Sequence, residues 1–257
     1  VPGRGVLLGL VAGLRLAVDD RAEGGFAALI DLAWDARLIE QERLHLHPQA
    51  CLLGHLALHA QLLALIRLDA ATRERRSLGR RNGLATLAWF PGGDSLLVAQ
   101  REFSDRYHVF GDLYVVDGRG KERRITRGAR LSEPDVAPDG VRAVAVQTEA
   151  GATRLVLVEL ATGAVEPITA YDLAVGWSAP RWSPSGDYIA AARWRLGGEY
   201  DVVILAPDGR VVRELTRDRA IDGAPAWSPD GRYVLFWSDR SGIPNLYAYD
   251  VTARAAA

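Results

Sequence analysis

The chain of 257 residues contains no methionine, one cysteine (Cys51), one lysine (Lys121) and two asparagines (Asn82 and Asn245). A single cysteine excludes an internal disulfide framework and leaves the redox compartment open. The surplus of arginine over lysine fits a GC-rich coding sequence. A net charge of -1 supplies no global field for nucleic acid or an anionic membrane. Long hydrophobic runs are also missing. Leu7 to Val18 is apolar, but Arg15 interrupts it, and it falls short of the ~20 residues that span a bilayer. No basic start and small-residue cleavage site marks a signal peptide. The chain opens on Val1-Pro2 rather than methionine, so it is expected to be part of a longer protein, and the missing signal then carries no information about compartment.

Catalytic signatures are absent as well. No Gly-x-Ser-x-Gly elbow is present, which excludes a hydrolase domain of that type within these residues. Lys121 is followed by Glu122, so there is no phosphate-binding P-loop, and Gly3-Arg4-Gly5 lacks the third glycine of a dinucleotide fingerprint. His45, His47, His55 and His59 cluster around Cys51. His55 and His59 would share one face of a helix or a strand and could join a third ligand on Zn²⁺. No carboxylate lies between them, so the H-E-x-x-H mechanism is absent, and zinc-site spacings are not met. Neither a metal nor a cofactor is expected.

What is present is a phrase repeated four times. It reads Trp89-Phe90-Pro91-Gly92-Gly93-Asp94, Val136-Ala137-Pro138-Asp139-Gly140, Trp182-Ser183-Pro184-Ser185-Gly186 and Trp227-Ser228-Pro229-Asp230-Gly231, with prolines 47, 46 and 45 residues apart. A constant period of this size marks a repeat array. Proline presets φ at the second turn position, Asp bonds back to the backbone, and Gly takes positive φ.

Between the turns, apolar runs alternate in strand fashion. In one unit they fall at Arg142 to Gln147, Arg154 to Leu160 and Val165 to Thr169, in the next at Tyr188 to Arg193, Asp201 to Leu205 and Val211 to Thr216. Ser95 to Gln100, Asp112 to Asp117 and Arg123 to Thr126 repeat the plan upstream. Four antiparallel strands per unit, joined by tight turns, describe one blade of a β-propeller. The fold class is therefore all-β, a propeller of four-stranded antiparallel blades, preceded by a short helical segment.

Blades are placed near 48–85, 86–130, 131–176, 177–223 and 224–257. The first is degenerate: Asp69 follows Pro48 by the same 21 residues that separate Glu159 from Pro138 and Asp250 from Pro229. The last is incomplete, because Thr252 to Ala257 makes a poor fourth strand. Residues 1–47 lie outside the repeat. Phe26, Ile30, Ala33, Trp34 and Leu38 fall at helical spacing, which predicts an amphipathic helix from about 22 to 43. The alternative is text from another reading frame.

The stretch from Ala224-Pro225-Ala226-Trp227 through Ser238-Asp239-Arg240-Ser241-Gly242 to Leu246-Tyr247-Ala248-Tyr249-Asp250 resembles the repeat of TolB-like (PD40) propellers. Weaker copies at 86–117, 133–160 and 179–205 extend the likeness over about two thirds of the chain. The resemblance implies a bacterial, periplasmic or otherwise extracytoplasmic setting. It implies a non-catalytic scaffold that binds a protein or peptide; from charge and hydropathy, neither nucleic acid nor membrane insertion is expected. Related repeats also accompany prolyl-oligopeptidase-like and zinc-metallopeptidase-like domains. The alternative is thus a substrate-gating propeller covalently linked to a catalytic domain outside this chain.

Two groups of residues are candidates for binding. Asp105, Arg106, Tyr107 and His108 lie in an irregular segment from Arg101 to Phe110, rich in the residue types that anchor interfaces. Glu133, Asp135, Trp177, Arg181 and Asp222 lie on or just before blade-opening strands, which line the channel of a propeller. The tryptophans at 89, 182 and 227 precede each turn and are expected in the core between blades. Asp239-Arg240 is expected to fix a loop.

Overall fold

A computed structural model describes residues 6–8, 16–17, 64–69, 72–81 and 85–252 of the chain. It divides into two compact units, Val1–Leu84 and Ala85–Ala257.

Within the first unit, β1 (Val6–Leu8), β2 (Leu16–Ala17), β3 (Ala64–Leu68) and β4 (Arg75–Arg80) form one antiparallel sheet in the order β2-β1-β3-β4. Val6 pairs with Leu68 and Leu8 with Ile66. Leu65, Leu68 and Leu78 are its buried side chains among the described residues. Asp69 closes the β3–β4 turn by accepting the Thr72 N–H at 2.8 Å. Two strands of this sheet thus precede residue 20, in the segment set outside the repeat. The expected helix at 22–43 and the histidine cluster lie outside the described residues.

The second unit contains four antiparallel sheets. The first holds β5 (Thr86–Trp89), β6 (Ser95–Phe103), β7 (Val109–Asp117) and β8 (Glu122–Arg124). The second holds β9 (Leu131–Val136), β10 (Arg142–Glu149), β11 (Ala152–Glu159) and β12 (Val165–Pro167). The third holds β13 (Val175–Trp182), β14 (Ile189–Arg195), β15 (Glu199–Leu205) and β16 (Val211–Glu214). The fourth has three strands, β17 (Asp222–Trp227), β18 (Tyr233–Ser238) and β19 (Asn245–Asp250). In each sheet strands pair with their sequence neighbours, so every sheet is a meander.

The repeated phrase builds the same turn each time. The N–H groups of Gly93, Gly140, Gly186 and Gly231 donate to the carbonyls of Phe90, Ala137, Ser183 and Ser228 at 2.8–2.9 Å. These glycines have φ between 70° and 78°, a region closed to most side chains. A β-carbon on Gly140 would stand 3.8 Å from Pro91, and one on Gly186 3.7 Å from Pro138. Each turn therefore lies against the proline of the turn before it.

The sheets stack through their apolar faces. Val156 and Val158 of the second sheet join Leu97, Ala99 and Leu113 of the first in one cluster. Val146 and Leu155 meet Trp177, Ala191 and Val203 of the third. Val202 and Ile204 meet Val234 and Phe236 of the fourth. Burial of these faces, at about 25 cal/mol per Å² of apolar area, is what makes single four-stranded sheets stable as an array.

The opening strands carry a second repeated device. Glu133, Ala179 and Ala224 have φ of 51°, 49° and 48°, each directly before a proline. At these places the pairing of β9 with β10, β13 with β14 and β17 with β18 shifts register. Each is a β-bulge that bends the strand.

Candidate protein-binding surface

Meander topology sorts the connections to two ends of the sheets. The proline turns share one end with the third-to-fourth-strand turns. The second-to-third-strand hairpins share the other with the crossovers between sheets.

On the opening strands, the bulges aim backbone N–H groups at the preceding sheet. Glu133 N–H donates to Thr86 Oγ1 at 2.7 Å. Ala179 N–H donates to the Glu133 carboxylate at Oε2. The next rung is made by Asp135, whose Oδ2 accepts the Trp182 N–H at 2.7 Å. Burial pushes the Asp135 carboxyl up to about 6, with the Arg181 guanidinium and the Trp182 N–H pulling against it. Arg181 itself donates to the Pro180 carbonyl at 2.7 Å, and its own carbonyl accepts the Trp227 indole N–H at 3.1 Å. The structure brings Glu133, Asp135 and Arg181 together on β9 and β13, and it uses them as inter-sheet ties.

Trp177 and Asp222 are placed elsewhere. Trp177 is 8% exposed and packs in the core between the second and third sheets. Asp222 has no exposed surface, and Arg240 reaches both its carboxylate oxygens at 3.1 and 3.0 Å. Asp239 Oδ1 accepts the Ile221 N–H at 2.8 Å. Asp239 and Arg240 thus fix the start of β17 by separate contacts.

Sequence reasoning did not single out Asp112. It is fully buried on β7 and accepts from the Arg124 guanidinium (2.7 Å), the Thr126 hydroxyl (2.8 Å) and the N–H groups of Gly128 (2.8 Å) and Ala129 (3.0 Å). It organises the crossover from the first sheet to the second. The signal was its place at the head of a strand ahead of a Thr-x-Gly segment. Among the described residues no three His, Cys, Asp or Glu side chains converge as a metal site.

Asp105, Arg106, Tyr107 and His108 form the tip of the β6–β7 hairpin. Asp105 Oδ1 accepts the N–H groups of Tyr107 (2.8 Å) and His108 (2.9 Å), and the His108 ring sits 2.7 Å from Oδ2. The Tyr107 N–H first, and then the His108 ring, hold the Asp105 carboxyl below the usual range. His108 stacks on Phe110 at 5.7 Å, and the Arg130 guanidinium lies 4.4 Å from the Phe110 ring centroid. The turn is locally braced, yet Phe103 is 73%, Tyr107 81% and Val109 46% exposed. Leu173, Leu196 and Ile243 add exposed apolar surface at the same end of the sheets.

Residues 97–257, more than half of the chain, match the family model of the TolB beta propeller domain, PD40. The chain belongs to this family. Over 145 residues it is 34% identical to the TolB homolog of Chlorobium luteolum, covering 55% of this chain and 32% of that one. Over 138 residues it is 36% identical to the Tol-Pal system protein TolB of Bordetella pertussis, covering 53% and 31%. It thus spans about a third of the length of these relatives. The crystal structure of TolB from Acinetobacter baumannii superposes with a TM-score of 0.64 at 18% identity, over 77% of this chain and 49% of that one. That likeness supports the fold, a TolB-like propeller of stacked antiparallel sheets.

Proposed function

We propose that this chain is a non-catalytic, extracytoplasmic protein-binding propeller whose docking element is the β6–β7 hairpin tip. One observation carries the reading. The tip displays Phe103 and Tyr107 to solvent on a turn already braced by Asp105. Pre-ordered exposed aromatics lose little entropy on association and are the commonest interface anchors. The opening-strand polar groups, by contrast, are engaged within the fold, Glu133 and Asp135 between sheets and Asp222 with Arg240. The extracytoplasmic setting rests on the relatives, one of which is named a Tol-Pal system protein.

The first partner to test is a purified Pal protein, by calorimetry against the full chain. The double variant Phe103→Ser/Tyr107→Ser is expected to weaken binding at least about tenfold without changing Tm, as removal of two exposed anchors should. Unchanged affinity in the variant, or no binding by the parent chain, overturns the reading. The same surface would serve a substrate gate of a larger peptidase. An in-frame catalytic segment beside this coding sequence would move the protein to that class.

A further inference from the structure

At the opposite end of the sheets an open groove of about 600 Å³ lies between the first and second sheets of the second unit. Its floor and walls are apolar: Phe90, Pro91, Val115, Val141 and Leu160. Its charged rim is Asp94, Asp139 and Glu159, against the single cation Arg123. Asp139 is committed to its own turn, through the N–H groups of Val141 at 2.8 Å and Arg142 at 3.3 Å, and it pairs with the Arg142 guanidinium at 3.4 Å. Asp94 and Glu159 have no ion-pair partner among the described residues.

Beside the groove, one copy of the repeat departs from the others. Two positions after the turn glycine the later copies carry Arg142, Tyr188 and Tyr233, whereas the first carries Ser95. One position before the glycine they carry Asp139, Ser185 and Asp230, whereas the first carries Gly92. At the next interface Arg142 reaches across, with its guanidinium 5.8 Å from the Trp182 ring of the third sheet. Ser95 is too short to do this. Val141, on the wall of the groove, is 51% exposed.

An apolar trough whose unpaired rim carboxylates, Asp94 and Glu159, outnumber its one cation, Arg123, is complementary to a cation carried on an apolar stem. Isolated rim charges discriminate among ligands by sign more than they add affinity. A volume of this size takes a few residues of extended chain. We propose that this groove is a second binding site, independent of the hairpin tip, for a short extended peptide segment bearing an arginine or lysine beside apolar residues.

The probe is the capped tripeptide acetyl-Leu-Arg-Leu-amide, with acetyl-Leu-Glu-Leu-amide and arginine amide as comparisons, titrated into the full chain by NMR at low and high salt. The basic tripeptide is expected to shift resonances around Val141 and Leu160 saturably. It should bind at least about tenfold tighter than the acidic one and weaken as salt rises. Arginine amide should bind more weakly, because it leaves the trough unfilled. Ser95→Tyr copies the residue tolerated at Tyr188 and Tyr233, and it should abolish binding. Asp94→Asn/Glu159→Gln leaves the trough open and should remove most of the salt dependence. Equal binding of both tripeptides, retention in Ser95→Tyr, arginine amide matching the tripeptide, or no saturation below about 10 mM each overturns the proposal. Binding elsewhere is read from shifts that survive in Ser95→Tyr, and it counts against the proposal.

Discussion

Replacing Asp135 with asparagine should stabilise the protein at neutral pH. Asp135 is half-buried on β9, and desolvation lifts its carboxyl from 3.8 to about 6 even with Arg181 nearby. A rise of that size means that ionising Asp135 in the folded state costs about 3 kcal/mol at pH 7. The folded protein holds this proton more tightly than the unfolded chain does. This group's contribution is therefore fully present below about pH 4 and is lost as pH rises through 6. Asparagine keeps a carbonyl oxygen for the Trp182 N–H, now at 2.7 Å from Oδ2, and carries no charge to desolvate. The rise to about 6 is already net of the pull of Arg181 and the Trp182 N–H, so the expected gain at pH 7 is up to about 3 kcal/mol. Urea unfolding of parent and Asp135→Asn chains, from pH 4 to pH 7.5, isolates the term, because other titrating groups cancel in the difference. The gap should grow across pH 4 to 6 and level off above. A variant less stable at pH 7, or a gap that does not change with pH, would refute the reasoning.

Two further substitutions test the scaffold. Gly209 has φ of 85°, and a β-carbon there would overlap the Ile168 carbonyl, whereas Gly151 has φ of 84° and open space around it. Gly209→Ala should cost about 3 kcal/mol or more and Gly151→Ala about 1, both read by chemical denaturation; equal costs would show that close approach of sheets is not the constraint. Arg240→Met strands the fully buried Asp222 carboxylate and should cost about 3–5 kcal/mol, with Asp222→Asn in the same background recovering much of it. Additive losses would remove the ion-pair account.

The turns were legible because their chemistry is local. Proline, a small acceptor and glycine within five residues specify one hydrogen bond and one positive φ, and all four copies obey. Strand ends were less so. The β6–β7 hairpin pairs out to Phe103 and Val109, beyond the expected Gln100 and Asp112, because ladder bonds continue where alternation has already faded. The roles of candidate site residues were the least legible. Register placed Asp222 at the head of an opening strand. Nothing in that register shows Arg240, 18 positions later, folding back over it. Trp177 reads as a strand residue in either face, and only the stacking of Val146 and Leu155 decides that it is core. The groove was not legible because its lining comes from two sheets, although the departure of Gly92 and Ser95 from the repeat was visible.

The opening strands show why polar residues there are poor guides to binding in this family of sheets. Glu133 accepts the Ala179 N–H, yet Ala179 offers no side-chain acceptor to the next sheet, and Ala224 still adopts φ of 48°. The bulge therefore does not depend on the side-chain bond. It goes with the two-against-one pairing across the strand, which recurs at all three places. A side chain at this position is free to tie sheets together or to be absent, without altering the path of the backbone. The ends of the sheets are different. There a groove lies beside Ser95, where the later copies carry Arg or Tyr, and a hairpin paired out to Phe103 and Val109 holds aromatic rings in solvent above the stacked core. Recognition can then change at the ends of the sheets with little cost to stability, and for that reason both binding proposals are placed there.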